Sequence, residues 1–188
     1  SYNGTNWTEV NDLNTARNNL VAVGADSTSS LAFGGATATA NSANTESWDG
    51  TNWTEVNDLN TARNGLADSG TVTAALAFGG NTGSVTAVTE TWNGTNWTEV
   101  NDLNTARSAL AGAGDSNTVA LGFGGGPPNI AITESWNGTN WTEVNDLNTA
   151  RRALGGAGNY TSALAVGGND GSLSGKTEEW NGTNWTEV

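Results

Sequence analysis

With 188 residues, the chain is long enough for one sizeable core, since folding at this length buries roughly 70% of the unfolded surface. It contains no Cys, His or Met, which excludes disulfide frameworks, thiolate or imidazole metal sites and every relay of a nucleophile with a histidine. A formal net charge of -13, from 6 Lys plus Arg against 19 Asp plus Glu, repels phosphate backbones and anionic head groups, so neither nucleic acid nor a membrane surface is an expected partner.

The chain opens with Ser1 to Val10, whose last six residues, Thr-Asn-Trp-Thr-Glu-Val, return at Thr51, Thr95, Thr139 and Thr183. The continuation Asn-Asp-Leu-Asn-Thr-Ala-Arg ends at Arg17, Arg63, Arg107 and Arg151, and a Gly-Gly pair follows at Gly34, Gly79, Gly124 and Gly167. A period in this range decides the architecture. Units begin at Asn11, Asn57, Asn101 and Asn145, giving blades 11–56, 57–100, 101–144 and 145–188, with 1–10 as a surplus copy of a unit's closing hairpin. The 26 Gly and abundant Thr and Asn are balanced by nine Trp at fixed places, which favours a packed array over disorder. Apolar runs of only a few residues cannot span a bilayer, and no signal peptide precedes Ser1, so a soluble chain is expected. The absent Met means that an initiator was removed or that the chain is a piece of a longer product.

Each unit predicts four short strands. In unit two, residues 63–70 form a small-residue strand suited to a crowded centre, with the first turn at Asp68 to Thr71. Residues 74–78, Ala-Ala-Leu-Ala-Phe, read as a buried strand stopped by Gly79-Gly80. Val88 to Trp92 has the β-branched and aromatic content of a pleated strand, Asn93-Gly94 marks a tight hairpin, and Trp97 to Val100 completes the unit. An all-β chain of four-stranded antiparallel sheets follows.

Gly79-Gly80, Glu90-Thr91-Trp92, Trp97, Leu103 and Arg107 together resemble the Kelch repeat, and the resemblance covers the whole chain in four registers. The first aromatic, usually Tyr in that family, is kept at Tyr2 and replaced by Trp48, Trp92, Trp136 and Trp180, and the spacing between the aromatics is shorter than usual. The resemblance implies a β-propeller with the first strand of each blade lining a central channel and the fourth on the rim. It also implies that the second-to-third loops and the inter-blade crossings share one face. Thr/Asn/Gly-rich, Cys-free Kelch-like units are similar to those of structural and tail-associated bacteriophage proteins, which implies a virion or extracellular location, with the cytoplasm as the alternative.

The copies agree in the scaffold and differ most after Gly-Gly, where Ala36–Asn44, Asn81–Val88, Gly126–Ile132 and Asn169–Lys176 vary in sequence and length, while the first-to-second turns, Ala25–Ser29, Asp68–Thr71, Asp115–Thr118 and Asn159–Thr161, vary as well. Candidate contacts for a variable partner are therefore Thr37, Thr39, Asn41, Asn81, Thr82, Ser84, Pro127, Pro128, Asn129, Asn169, Asp170 and Ser172, against the plainer reading that exposed loops tolerate change. Arg17, Arg63, Arg107 and Arg151 could form an anion-binding ring, since guanidinium grips carboxylate and phosphate bidentately, or could link blades, as the Kelch arginine does. Asp12, Asp58, Asp102 and Asp146 offer hard oxygen ligands, but one acid per loop is too few for Ca²⁺, and turn capping is the competing role. The Trp pairs could stack on sugars or pack between blades. Glu90 and Glu99 recur in every unit, unlike a glycosidase pair, and read as solvating, edge-protecting charges. Asn-Gly-Thr and Asn-Trp-Thr strings, as at Asn93 and Asn96, are glycosylation sequons or hairpin chemistry.

The expected function is non-enzymatic, with no cofactor and no metal: an adhesion propeller that meets a glycan or protein of a host or cell surface. The alternative is a self-assembling structural protein, a homo-oligomer formed as a dimeric eight-bladed ring or as a filament through exchange of the surplus hairpin.

Overall fold

The repeated sequence folds as four repeated sheets. The computed structural model describes residues 1–188 and contains sixteen strands and no helix. Blade one comprises β1 (Val21–Asp26), β2 (Ser29–Phe33), β3 (Thr45–Trp48) and β4 (Trp53–Val56). Blade two comprises β5 (Ala67–Thr71), β6 (Ala74–Phe78), β7 (Thr89–Trp92) and β8 (Trp97–Val100). Blade three comprises β9 (Ala111–Ser116), β10 (Val119–Phe123), β11 (Thr133–Trp136) and β12 (Trp141–Val144). Blade four comprises β13 (Gly155–Asn159), β14 (Ser162–Val166), β15 (Thr177–Trp180) and β16 (Trp185–Glu187). Every sheet is an antiparallel meander in sequence order, and together they make a four-bladed β-propeller. The innermost strands β1, β5, β9 and β13 face a common channel, as expected.

The first strand starts later than the sequence suggests, at Ala67 instead of residue 63. The cause is the residue before Leu66: Asn19, Gly65, Ala109 and Ala153 all take φ between 51° and 59°, a left-handed conformation that ends any extended run. The first turn moves too, from Asp68–Thr71 to Val72-Thr73, because the turn is held from outside by an indole. Trp48, Trp92, Trp136 and Trp180 each donate Nε1–H to the first turn carbonyl of their own blade, at Ser27, Val72, Asn117 and Tyr160, over 2.9–3.1 Å. The hairpin between third and fourth strands is closed by Asn93 Oδ1, which accepts the amides of Thr95 and Asn96, and by Asp49, Asn137 and Asn181 in the other blades.

Residues 1–10 repeat the hairpin turn, with Asn3 Oδ1 accepting the amides of Thr5 and Asn6, but their two arms meet in a single bridge, Tyr2 with Trp7, and Trp7 is 81% exposed. The surplus hairpin is not a pair of strands here. A two-stranded hairpin without a sheet to pack against has little to stabilise it.

Blades join through one pattern made three times. The second-strand phenylalanine of one blade stacks on the fourth-strand tryptophan of the next, Phe33 on Trp97, Phe78 on Trp141 and Phe123 on Trp185, each with centroids 4.8 Å apart. Those indoles donate Nε1–H back to the hydroxyls of Thr45, Thr89 and Thr133 at 3.0 Å. Three apolar clusters lie on these three junctions, one each, so the core is divided between blades and not gathered at one centre.

Candidate functional site

The second-to-third loops and the crossings between blades lie on one face, tied by bridges from Asn18 to Ala36, Asn64 to Asn81, Ser108 to Gly126 and Arg152 to Asn169. This face carries most of the loop variation, while the first-to-second turns, with Ser27, Val72, Asn117 and Tyr160 at equivalent places, vary on the opposite face. Its candidate residues separate into two sets. Thr39, Thr82, Ser84, Pro127, Pro128, Asp170 and Ser172 are exposed at the loop tips. Thr37, Asn41, Asn81, Asn129 and Asn169 are half-buried at the stems. Two of these are fasteners: Asn41 Nδ2 donates to the carbonyl of Asn81 and Asn129 Nδ2 to that of Asn169, both at 2.9 Å and both across a junction. Thr37 accepts the amides of Thr39 and Ala40 and shapes its own loop. The frame thus carries exposed tips that differ from blade to blade, polar in blades one, two and four and a proline pair in blade three.

The four arginines do not present themselves to an outside anion. Their side chains are fully buried, and each is paired with a carboxylate of its own blade: Arg17 with Glu46 at 3.1 Å, Arg63 with Glu90, Arg107 with Glu134, and Arg151 with Glu178 at 3.1 Å. Burial lowers the pKa of Arg17 and Arg107 against the opposing pull of Glu46 and Glu134. In each arginine the Nε–H is left without a partner. The backbone, not the side chain, makes the link between blades: the carbonyls of Arg63, Arg107 and Arg151 accept the amides of Gly35, Gly80 and Gly125 of the preceding blade at 2.9 Å. A Cβ at neighbouring Gly79 would stand 2.7 Å from the carbonyl of Arg107, which is why no side chain fits there.

The reading of Glu90 as a solvating charge is corrected by this pairing. Glu46, Glu90, Glu134 and Glu178 are at zero exposure, and their second oxygens accept the amides of Asn14, Asn60, Asn104 and Asn148 at 2.7 Å. Strand alternation offered the signal, since Glu90 shares a face with Trp92. Glu99 and its equivalents Glu55, Glu143 and Glu187, on the outer strands, are exposed as anticipated.

Asp58, Asp102 and Asp146 accept the amides of Thr45, Thr89 and Thr133 of the preceding blade at 3.0 Å, which is the capping role. No group of three or more acidic side chains converges anywhere. The Trp pairs, with centroids 5.3–5.4 Å apart, are packing elements: Trp92, Trp97, Trp136, Trp141, Trp180 and Trp185 are buried. Only the Tyr2 and Trp7 pair, centroids 5.2 Å apart, lies open to solvent.

One residue escaped the sequence reading. The central channel, a cavity of about 290 Å³, is lined by Ala, Gly, Val and Ser from all four inner strands and by a single ionisable side chain, Asp68. Equivalent positions hold Ala22, Gly112 and Gly156. Burial among these small residues raises the Asp68 carboxyl to about 7. The signal was present as a lone charge in a strand of Gly and Ala.

No protein-family model and no curated protein matches this sequence.

Proposed function

We propose that the chain is a non-enzymatic interaction propeller whose variable face meets a partner at a host or cell surface. Propellers repeat a rigid frame and expose loops from it, an arrangement suited to recognition. The observation that carries the reading is the separation of roles along the repeat. The Arg–Glu pairs, the capping aspartates and the bonding tryptophans are the same residues in all copies, whereas Thr39, Thr82, Ser84, Pro127, Pro128, Asp170 and Ser172 stand exposed, on one face, and differ. The repeated charged residues have structural partners, the arginines and glutamates in buried pairs and Asp58, Asp102 and Asp146 as caps.

The partner class that fits is a neutral or basic protein surface, or an uncharged glycan, because the chain carries a charge of -13. The Gly-Gly, Glu-x-Trp and Leu-x-x-x-Arg pattern supports reading the blades as Kelch-type, and the phage-like composition supports a virion-borne or extracellular setting.

The test exchanges the exposed loop tips between blades, leaving the stems intact, and measures binding to a glycan array and to intact host cells. Binding lost or redirected by the exchange is the expected result. Binding that every exchange leaves unchanged contradicts the proposal.

A further inference from the structure

Three junctions are built, and the fourth is not. Blade four and blade one share none of the contacts that join the other neighbours, and β13 does not pack on β1 as the remaining inner strands pack on one another. Yet each of the two faces carries its half of the pattern.

On blade four, Thr177 occupies the place of Thr45, Thr89 and Thr133, with neither an aspartate on its amide nor an indole on its hydroxyl. The amide of Gly168 and the carbonyls of Ser174, Gly175 and Ala153 are without the partners their equivalents have. Val166 stands where the junction phenylalanine stands and is 45% exposed. Leu173, the counterpart of half-buried Val85, is 93% exposed.

On blade one, the complementary groups wait. Trp53 is half-exposed and its Nε1–H has no acceptor, whereas Trp97, Trp141 and Trp185 are buried and bonded. Asp12 caps nothing, and Leu13 is partly exposed where Leu59, Leu103 and Leu147 are at 4%. The amides of Leu13, Arg17 and Asn19 and the carbonyl of Arg17 are the missing partners of Gly175, Ser174, Ala153 and Gly168, in that order.

We propose that a second copy of this chain occupies these faces, blade four of one copy docking head to tail on blade one of the next through a fourth instance of the same junction. The three built junctions specify the occupant: a face that accepts Phe33, Thr45 and Gly35 from one side is completed by a tryptophan, an aspartate and an arginine carbonyl from the other, and this chain offers all three on Trp53, Asp12 and Arg17. Within one chain the two faces do not meet: no hydrogen bond runs between them, and β13 does not pack on β1. The contact is heterologous, so it closes as a ring or continues as a filament according to the rotation between copies. This inference is independent of any ligand on the variable face.

Sedimentation of the 188-residue chain over a range of concentrations tests it. Species of at least twice 19.2 kDa are expected, and Val166→Asp, at a site exposed in the single chain, should return the mass to 19.2 kDa without altering the far-ultraviolet spectrum. Since the chain has no cysteine, a bis-maleimide provides a second reading. Mixing one chain bearing Thr177→Cys with another bearing Asp12→Cys should give a linked dimer, and neither should link alone. A 19.2 kDa particle at every concentration, or linkage confined to single chains carrying both cysteines, overturns the proposal.

Discussion

Arg63 and Glu90 are buried together at zero exposure, so removing either leaves the other charged and unpaired. Glu90→Ala should cost about 3–5 kcal/mol, read as a fall in the urea midpoint, whereas Glu99→Ala on the exposed strand should change it little. Asp68 makes an opposite prediction. Its folded carboxyl titrates near 7, against 3.8 for the ordinary group, so its protonated form is favoured by folding. The contribution is therefore complete below about pH 4 and lost as the pH rises through 7. Asp68→Asn should stabilise the protein by ~1–2 kcal/mol at pH 8 and leave it nearly unchanged at pH 4, which melting curves at both values would show. Ala109 and Ala153 hold φ of 51°, where Gly65 serves in blade two. Ala109→Gly should accordingly raise stability by ~0.5–1 kcal/mol in the same melts. At this scale the sequence named the reactive-looking groups but misjudged their company. Repetition marked Arg63 and Glu90 as a set, yet their sequence distance of 27 residues hid that they are each other's partner. Asp68 was hidden for the reverse reason, since it occurs in only one copy.

Strands were legible wherever the side chains themselves dictate an extended, pleated run. Ala74–Phe78 and Trp97–Val100 lie where the apolar run and the Asn-Gly turn put them. The first strand was not, because its start depends on a left-handed residue that is Gly in one blade, Asn in another and Ala in two. The first turn was missed for a tertiary reason, being held by the Trp92 indole from the third strand. The same dependence on distant partners separates equivalent positions in different blades. Thr89→Val leaves the Trp141 Nε1–H buried and unbonded and should cost ~1–3 kcal/mol. Thr177→Val, whose hydroxyl receives no indole inside the chain, should cost markedly less in dilute solution. Urea unfolding of the two variants side by side makes the comparison.

Over the whole molecule, the period of the sequence was sufficient to establish four blades, because each copy carries its own four strands. It could not reveal that the junctions number three. That follows from which groups meet: Asp58, Asp102 and Asp146 each reach back to the preceding blade, while Asp12 has no preceding blade in the chain to reach. Nor was the fate of residues 1–10 legible, since Tyr2 and Trp7 repeat the hairpin residues without a sheet to hold them. The scaffold is thus a series of identical junctions carrying a variable face, with one half-junction at each end. Amide hydrogen exchange resolved to single residues tests this most directly. The amides of Thr45, Thr89 and Thr133 should be strongly protected at all concentrations, and that of Thr177 should exchange freely in dilute solution and become protected as copies associate. Equal protection of all four at every concentration, or rapid exchange at Thr45, Thr89 and Thr133, would contradict it.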